Sequence, residues 1–136
     1  MNIIALKPME AQKILDDWMG TIDSLVDEVS HWAAENEWET RVSNGETTEE
    51  TLGTYSVPIL TIGTPEGRLI LEPMDRNPGG EGRVKLIAMP TMSRVRLLHG
   101  DREAGWEILT DSGVPLRQPW NKQTFIRLAK DMLGAE

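Results

Sequence analysis

The side chains in this sequence best suited to chemistry are two histidines, one serine and a few loop carboxylates. His99 precedes Gly100-Asp101, and Asp111-Ser112-Gly113 follows the next strand-like segment. Ser112 as nucleophile, His99 as base and Asp101 or Asp111 as orienting carboxylate would compose a hydrolase triad, provided their polar atoms came within about 3 Å of one another. An antiparallel hairpin puts these two turns at opposite ends. Asp-Ser-Gly reads more simply as an Asx turn, in which Asp bonds its own backbone and Gly supplies positive φ. His31 sits beside Trp32 in a helical stretch with no His or carboxylate at the spacing of H-E-x-x-H, which makes it a surface or boundary histidine. The loop 73–82 offers glycine N–H groups to an anion, and Glu72, Asp75 and Glu81 to a divalent cation. Its spacing matches no P-loop, dinucleotide or EF-hand pattern, so it reads as a hairpin connection. A nuclease-like Glu two residues ahead of a strand Lys is missing too, because Arg83 holds that place before Lys85. With no cysteine, thiolate nucleophiles, thiolate metal sites and disulfides drop out together. The expectation is no metal, no cofactor and, more simply than an enzyme, a protein that binds.

Charge gives that expectation a location. Residues 1–50 hold twelve acidic side chains against Lys7, Lys13 and Arg41, while the remainder is close to balanced. In the second part, strand-like segments place Arg68, Arg83, Lys85, Arg94 and Arg96 on one parity, interleaved with Ile70, Ile87, Leu98 and Leu109. A solvated face needs cations but not those aliphatics. Arginine suits bidentate recognition of carboxylate or phosphate, so the five cations are the candidate binding residues, for a protein partner or a second copy. The acidic first helix, folded back in the same subunit or donated by a symmetry mate, is the economical cover for this face. A net charge of −8 opposes general nucleic-acid and anionic-lipid binding. No segment approaches the roughly 20 apolar residues of a membrane span, and MNIIALKPME is no signal peptide. A soluble, cytoplasmic protein is expected.

The elements that must hold these residues follow from periods. Ala11, Leu15, Trp18, Ile22, Leu25, Val29 and Trp32 recur at 4-3-4-3 spacing, with Pro8 in the first turn, which predicts a helix over 8–36. At 1.5 Å per residue it would be roughly 43 Å long, more than the diameter of about 37 Å expected of the domain. Either it breaks at Gly20, with Thr21 as a new N-cap, or it stays whole and overhangs onto a second subunit. In 37–54, Trp38, Thr40 and Val42 alternate like a short strand running into Asn44-Gly45, a two-residue hairpin signal, and the rest reads as a mobile acidic connection. Strands follow within 55–116: Tyr55, Val57 and Ile59 on a strand that Pro58 confines to an edge or bulge, then a Thr64-Pro65-Glu66-Gly67 turn into Arg68–Glu72. Arg83–Met89, Ser93–Leu98 and Gly105–Thr110 complete the set. Their inward parity is Leu69, Leu71, Val84, Leu86, Ala88, Val95, Leu97, Trp106 and Ile108. Asn121 as N-cap, Trp120 and Phe125 as staple and Gly134 as stop predict a C-terminal helix over 121–133.

The whole reads as one domain, 1–136, of the α+β class: a two-layer antiparallel meander of about five strands packed by a long first helix and a short last one. In size and charge it is similar to secretion chaperones. The functional expectation is a non-enzymatic protein-interaction module, adaptor or chaperone-like and dimeric; the alternative is a small hydrolase or anion- or metal-binding enzyme near His99, Asp101, Asp111 and Ser112 or the 73–82 loop.

Overall fold

The apolar stripe from Ala11 to Trp32 makes a single helix, α1 (Pro8–Glu35), in the computed structural model, which describes residues 8–76, 81–100, 105–109 and 117–134. Its 28 residues span about 42 Å. Gly20 does not interrupt it: the residue is exposed, nothing lies within 4 Å of where a Cβ would stand, and the helical bonds on either side simply continue. The stop comes at Glu37, whose positive φ of 62° turns the chain so that Trp38 N–H reaches Ala33 O at 2.9 Å and Glu37 N–H reaches Ala34 O at 3.0 Å. That is a Schellman ending, with a glutamate where glycine is usual. Trp18, Ile22, Leu25, Val26, Val29 and Ala33 are buried, whereas Ala11, Ile14 and Leu15 in the first turns are only half-buried. Met9 at the start of α1 is exposed, while Leu15 packs against the margin of the core.

Seven strands follow in spatial order of sequence, each antiparallel to the next. They are β1 (Glu39–Glu49), β2 (Gly53–Thr64), β3 (Gly67–Pro73), β4 (Gly82–Met89), β5 (Arg94–His99), β6 (Trp106–Leu109) and β7 (Arg117–Pro119). This is the expected α+β meander with two strands more. One of them is β1, which corrects the reading of 37–54. Asn44-Gly45 is no hairpin turn but mid-strand, opposite Pro58 and Val57, and the real turn is at 50–52. The expected mobile connection is the second half of an eleven-residue strand. Nearly all of β1 is exposed on both faces, so past the alternation of Trp38, Thr40 and Val42 at its start no apolar parity betrays it. The other addition, β7, has only three residues.

Pro58 also sits differently than expected. β2 is an interior strand, but its ladder with β3 ends at Leu60↔Leu71, so proline falls where that side of β2 has no ladder partner among the described residues. Beyond this point β1 and β2 form a two-stranded ribbon, which twists more strongly than a sheet interior. The buried parity changes with it: Leu60 and Ile62 are buried within the sheet, Tyr55 and Val57 within the ribbon. From β3 to β6 the expected inward set holds, with Leu69, Leu71, Val84, Leu86, Ala88, Val95, Leu97 and Ile108 at most 5% exposed and Trp106 half-buried.

Both helices close the inward face. α2 (Lys122–Leu133) starts at Asn121, which accepts from Thr124 N–H at 2.9 Å while Thr124 Oγ1 receives the Asn121 N–H at 2.9 Å. Trp120 and Phe125 meet with ring centroids 5.4 Å apart, as the staple requires, and Gly134 ends the helix at φ 74°. Phe125, Ala129, Met132 and Leu133 join the core beside α1, where Trp32 and Phe125 pack at 5.7 Å. No helix among the described residues is long and apolar enough to cross a membrane.

Candidate binding face

Side chains that alternate away from the core emerge on the other side of β3 to β6. There the expected cations lie together. Register sets them in rows: Glu72↔Lys85↔Arg96↔Leu109, then Ile70↔Ile87↔Arg94, then Arg68↔Met89, and Arg83↔Leu98↔Glu107. The burial of β4 alternates without a fault from Gly82 to Met89, so Arg83, Lys85, Ile87 and Met89 share this outer side. α1 does not cover it. Trp18 lies where a Cβ on Gly82 would stand and stacks at 6.0 Å on Trp106, both inward positions, so the acidic helix takes the core side of its own subunit. The idea that α1 folds back over the arginines in the same chain is thereby overturned.

The cations differ in state. Arg68 and Arg94 are exposed and flank the Ile87–Met89 strip on either side of β4. Lys85 pairs with Glu72 at 2.9 Å, and Arg83 pairs with the Asp75 carboxylate while its Nε donates to Asp75 O at 3.2 Å. Arg96 is half-buried. Arg117, which stands opposite Leu109 at the end of the same row, adds a sixth cation, 3.4 Å from Glu107 and 3.7 Å from Glu81. Sequence reasoning missed it because β7 is too short to show a period. Ile70, Ile87 and Leu109 are half-buried and Leu98 buried, which is how aliphatics look when long basic stems lie over them.

A buried polar chain, also unforeseen, holds one border of this face. Trp18 Nε1 donates to the Tyr55 hydroxyl oxygen Oη at 3.0 Å, that hydroxyl donates to Glu49 Oε2 at 2.8 Å, and Arg76 clamps Glu49 through Nη2 at 2.5 Å and Nε at 3.1 Å. Arg76 N–H reaches the same carboxylate at 3.3 Å. Burial pushes the Glu49 carboxyl up, but the Arg76 guanidinium and the Tyr55 hydroxyl outweigh it and hold the group below the ordinary glutamate range. The Tyr55 hydroxyl moves the other way, raised by burial and by the adjacent carboxylate. Since Asp75 is next to Arg76, the clamp also fixes the carboxylate that Arg83 holds. Between this segment and the ribbon lies a hollow of about 350 Å³, with Val57 and Ile59 in its wall and Glu72 and Asp75 beside it.

Of the alternative, chemical site only part falls within the described residues. His31 is exposed on α1. His99 is half-buried against Trp106 with ring centroids 4.9 Å apart, and burial lowers its pKa. Asp101, Asp111 and Ser112 lie outside the described residues, as do 77–80 of the 73–82 loop. Among the described residues no group of three or more His, Asp or Glu gathers as a metal set would. No family model, no curated protein and no solved structure matches this chain.

Proposed function

We propose that this protein is a non-enzymatic interaction module, adaptor or chaperone-like, which takes an acidic, partly apolar protein surface onto the outer side of β3 to β6. One observation carries the reading: Arg68, Arg83, Lys85, Arg94 and Arg96 share that side with Ile70, Ile87 and Leu109, and both helices pack on the other. Arginine among aliphatics is the composition of a recognition surface, with apolar contact supplying burial and guanidinium groups supplying carboxylate pairing. A second copy is one source of such a partner, because α1 exposes Asp16, Asp17, Asp23, Asp27 and Glu28 away from its own core. The exposed Met9 at the start of α1 would then extend the dimer contact. A cysteine-free chain suits the reducing cytoplasm in which we place it.

The test uses the two exposed cations. Binding of a synthetic peptide alternating Glu and Leu, and sedimentation of the protein alone, are compared for the natural chain and the Arg68→Glu/Arg94→Glu variant. The variant is expected to bind about tenfold or more weakly, about 1.4 kcal/mol or more, and to lose any dimer. A folded variant with unchanged binding and sedimentation would overturn the reading.

A further inference from the structure

β1 is an outer strand, and among the described residues only β2 pairs with it. Its register runs from Glu39↔Gly63 to Glu49↔Gly53 without a slip or bulge, so its outer side presents an uninterrupted series of backbone N–H and C=O groups. Residues 39 to 44 are exposed on both faces, Val42 at 55%. Sheets ordinarily protect such an edge with proline, lysine, a bulge or brevity. The opposite outer strand, β7, has this protection: it is three residues long and ends on Pro119. β1 is eleven residues long and contains neither proline nor lysine. Among the described residues, one edge of this sheet is guarded and the other is open.

We propose that β1 is a strand-addition site and that its occupant is an extended, basic segment of a partner protein. Backbone groups supply the attachment, as in other strand-addition complexes, and charge selects the occupant. Glu37, Glu39, Glu46 and Glu50 are exposed along and beside the strand, against Arg41 alone among its cations. Glu39 and Glu46 have opposite parity, so carboxylates border the groove on both faces of the sheet. The acidic α1 packs on the same hairpin, with Trp18 donating to Tyr55 of β2. A second copy would bring an identical acidic strand and helix, at a net charge of −8 each, against this edge. Like charges directly across a strand pair are destabilising, whereas Lys or Arg in an incoming strand meets carboxylates on either face. Val42 favours a β-branched residue opposite it. The arginine-bearing face and this edge are different surfaces of opposite sign, so the two proposals stand or fall separately.

The experiment titrates the full chain with a peptide of about nine residues alternating Lys with Thr and Val, and with its counterpart carrying Glu for Lys. Anisotropy reports binding, and amide hydrogen exchange maps it. The basic peptide is expected to bind and to slow exchange at alternate amides of residues 39 to 49. Val42→Lys, a substitution at an exposed position, is expected to weaken it about tenfold or more, while Arg68→Glu/Arg94→Glu leaves it within about twofold. Equal protection of β1 by the acidic peptide, or no protection of β1 by the basic one, would overturn the proposal. So would a dimer of the natural chain that Val42→Lys converts to monomer, since a second copy would then be the occupant. Should Val42→Lys unfold, Ser43→Lys replaces it, and the exchange map decides in either case.

Discussion

Glu49 is the one buried charged side chain among the described residues, and its cost is met locally. Removing it leaves the Arg76 guanidinium, 14% exposed, without its carboxylate, so Glu49→Ala is expected to destabilise by about 3 kcal/mol. Arg76→Ala should cost a similar amount. The double variant should cost less than the two together, because one interaction cannot be lost twice; chemical denaturation of the four proteins measures this. The pH dependence has a definite sign. A carboxyl held below its unfolded value binds fewer protons folded than unfolded, so its stabilisation is present above about pH 4.3 and disappears as pH falls through the folded pKa. His99 adds an earlier loss. Its lowered pKa means the fold prefers neutral imidazole, so stability should begin to fall as pH drops below about 6.5. Thermal unfolding across pH should therefore show two losses, with Glu49→Gln reducing the lower one and His99→Phe removing the upper.

At the scale of elements, three positions separate helix from sheet requirements. Gly20→Ala should stabilise by about 1 kcal/mol, since the helix is continuous there and the new methyl meets nothing. Glu37→Gly should stabilise by roughly 0.5–1 kcal/mol, the relief of a left-handed residue offset by the freer unfolded chain. Gly82→Ala should instead destabilise by about 1–3 kcal/mol, because its Cβ would overlap the Trp18 ring and displace it from Tyr55. Melting temperatures of the three variants distinguish these outcomes. Legibility of the elements tracked burial. β3 to β6 were readable because one face is buried and the other is wet, which writes a period of two; Asn121 and Gly134 were readable because caps use few residue types. β1 was legible only at its start, where Trp38, Thr40 and Val42 alternate; beyond that, exposure on both sides leaves no period, and Asn44-Gly45 mimicked a turn inside it. Whether Gly20 breaks α1 could not follow from composition either, because an exposed glycine weakens a helix without stopping it.

For the molecule as a whole, the separation of charge along the chain becomes a separation in space. The acidic residues of 1–50 line α1 and β1, and the cations gather on the outer side of the later strands, with the core between α1 and that side. The five candidate cations were found by parity alone. Arg117 was hidden by the brevity of β7, and the Glu49–Arg76 clamp by its distance in sequence. Such a dipolar surface makes association steeply dependent on ionic strength. Arginine labelling with phenylglyoxal, with and without the Glu/Leu peptide, asks the central question most directly. The account expects Arg68 and Arg94 to react in the free protein and to be shielded by the peptide, while Arg127 on α2 reacts equally in both. Shielding of Arg127 with Arg68 and Arg94 unaffected would contradict it.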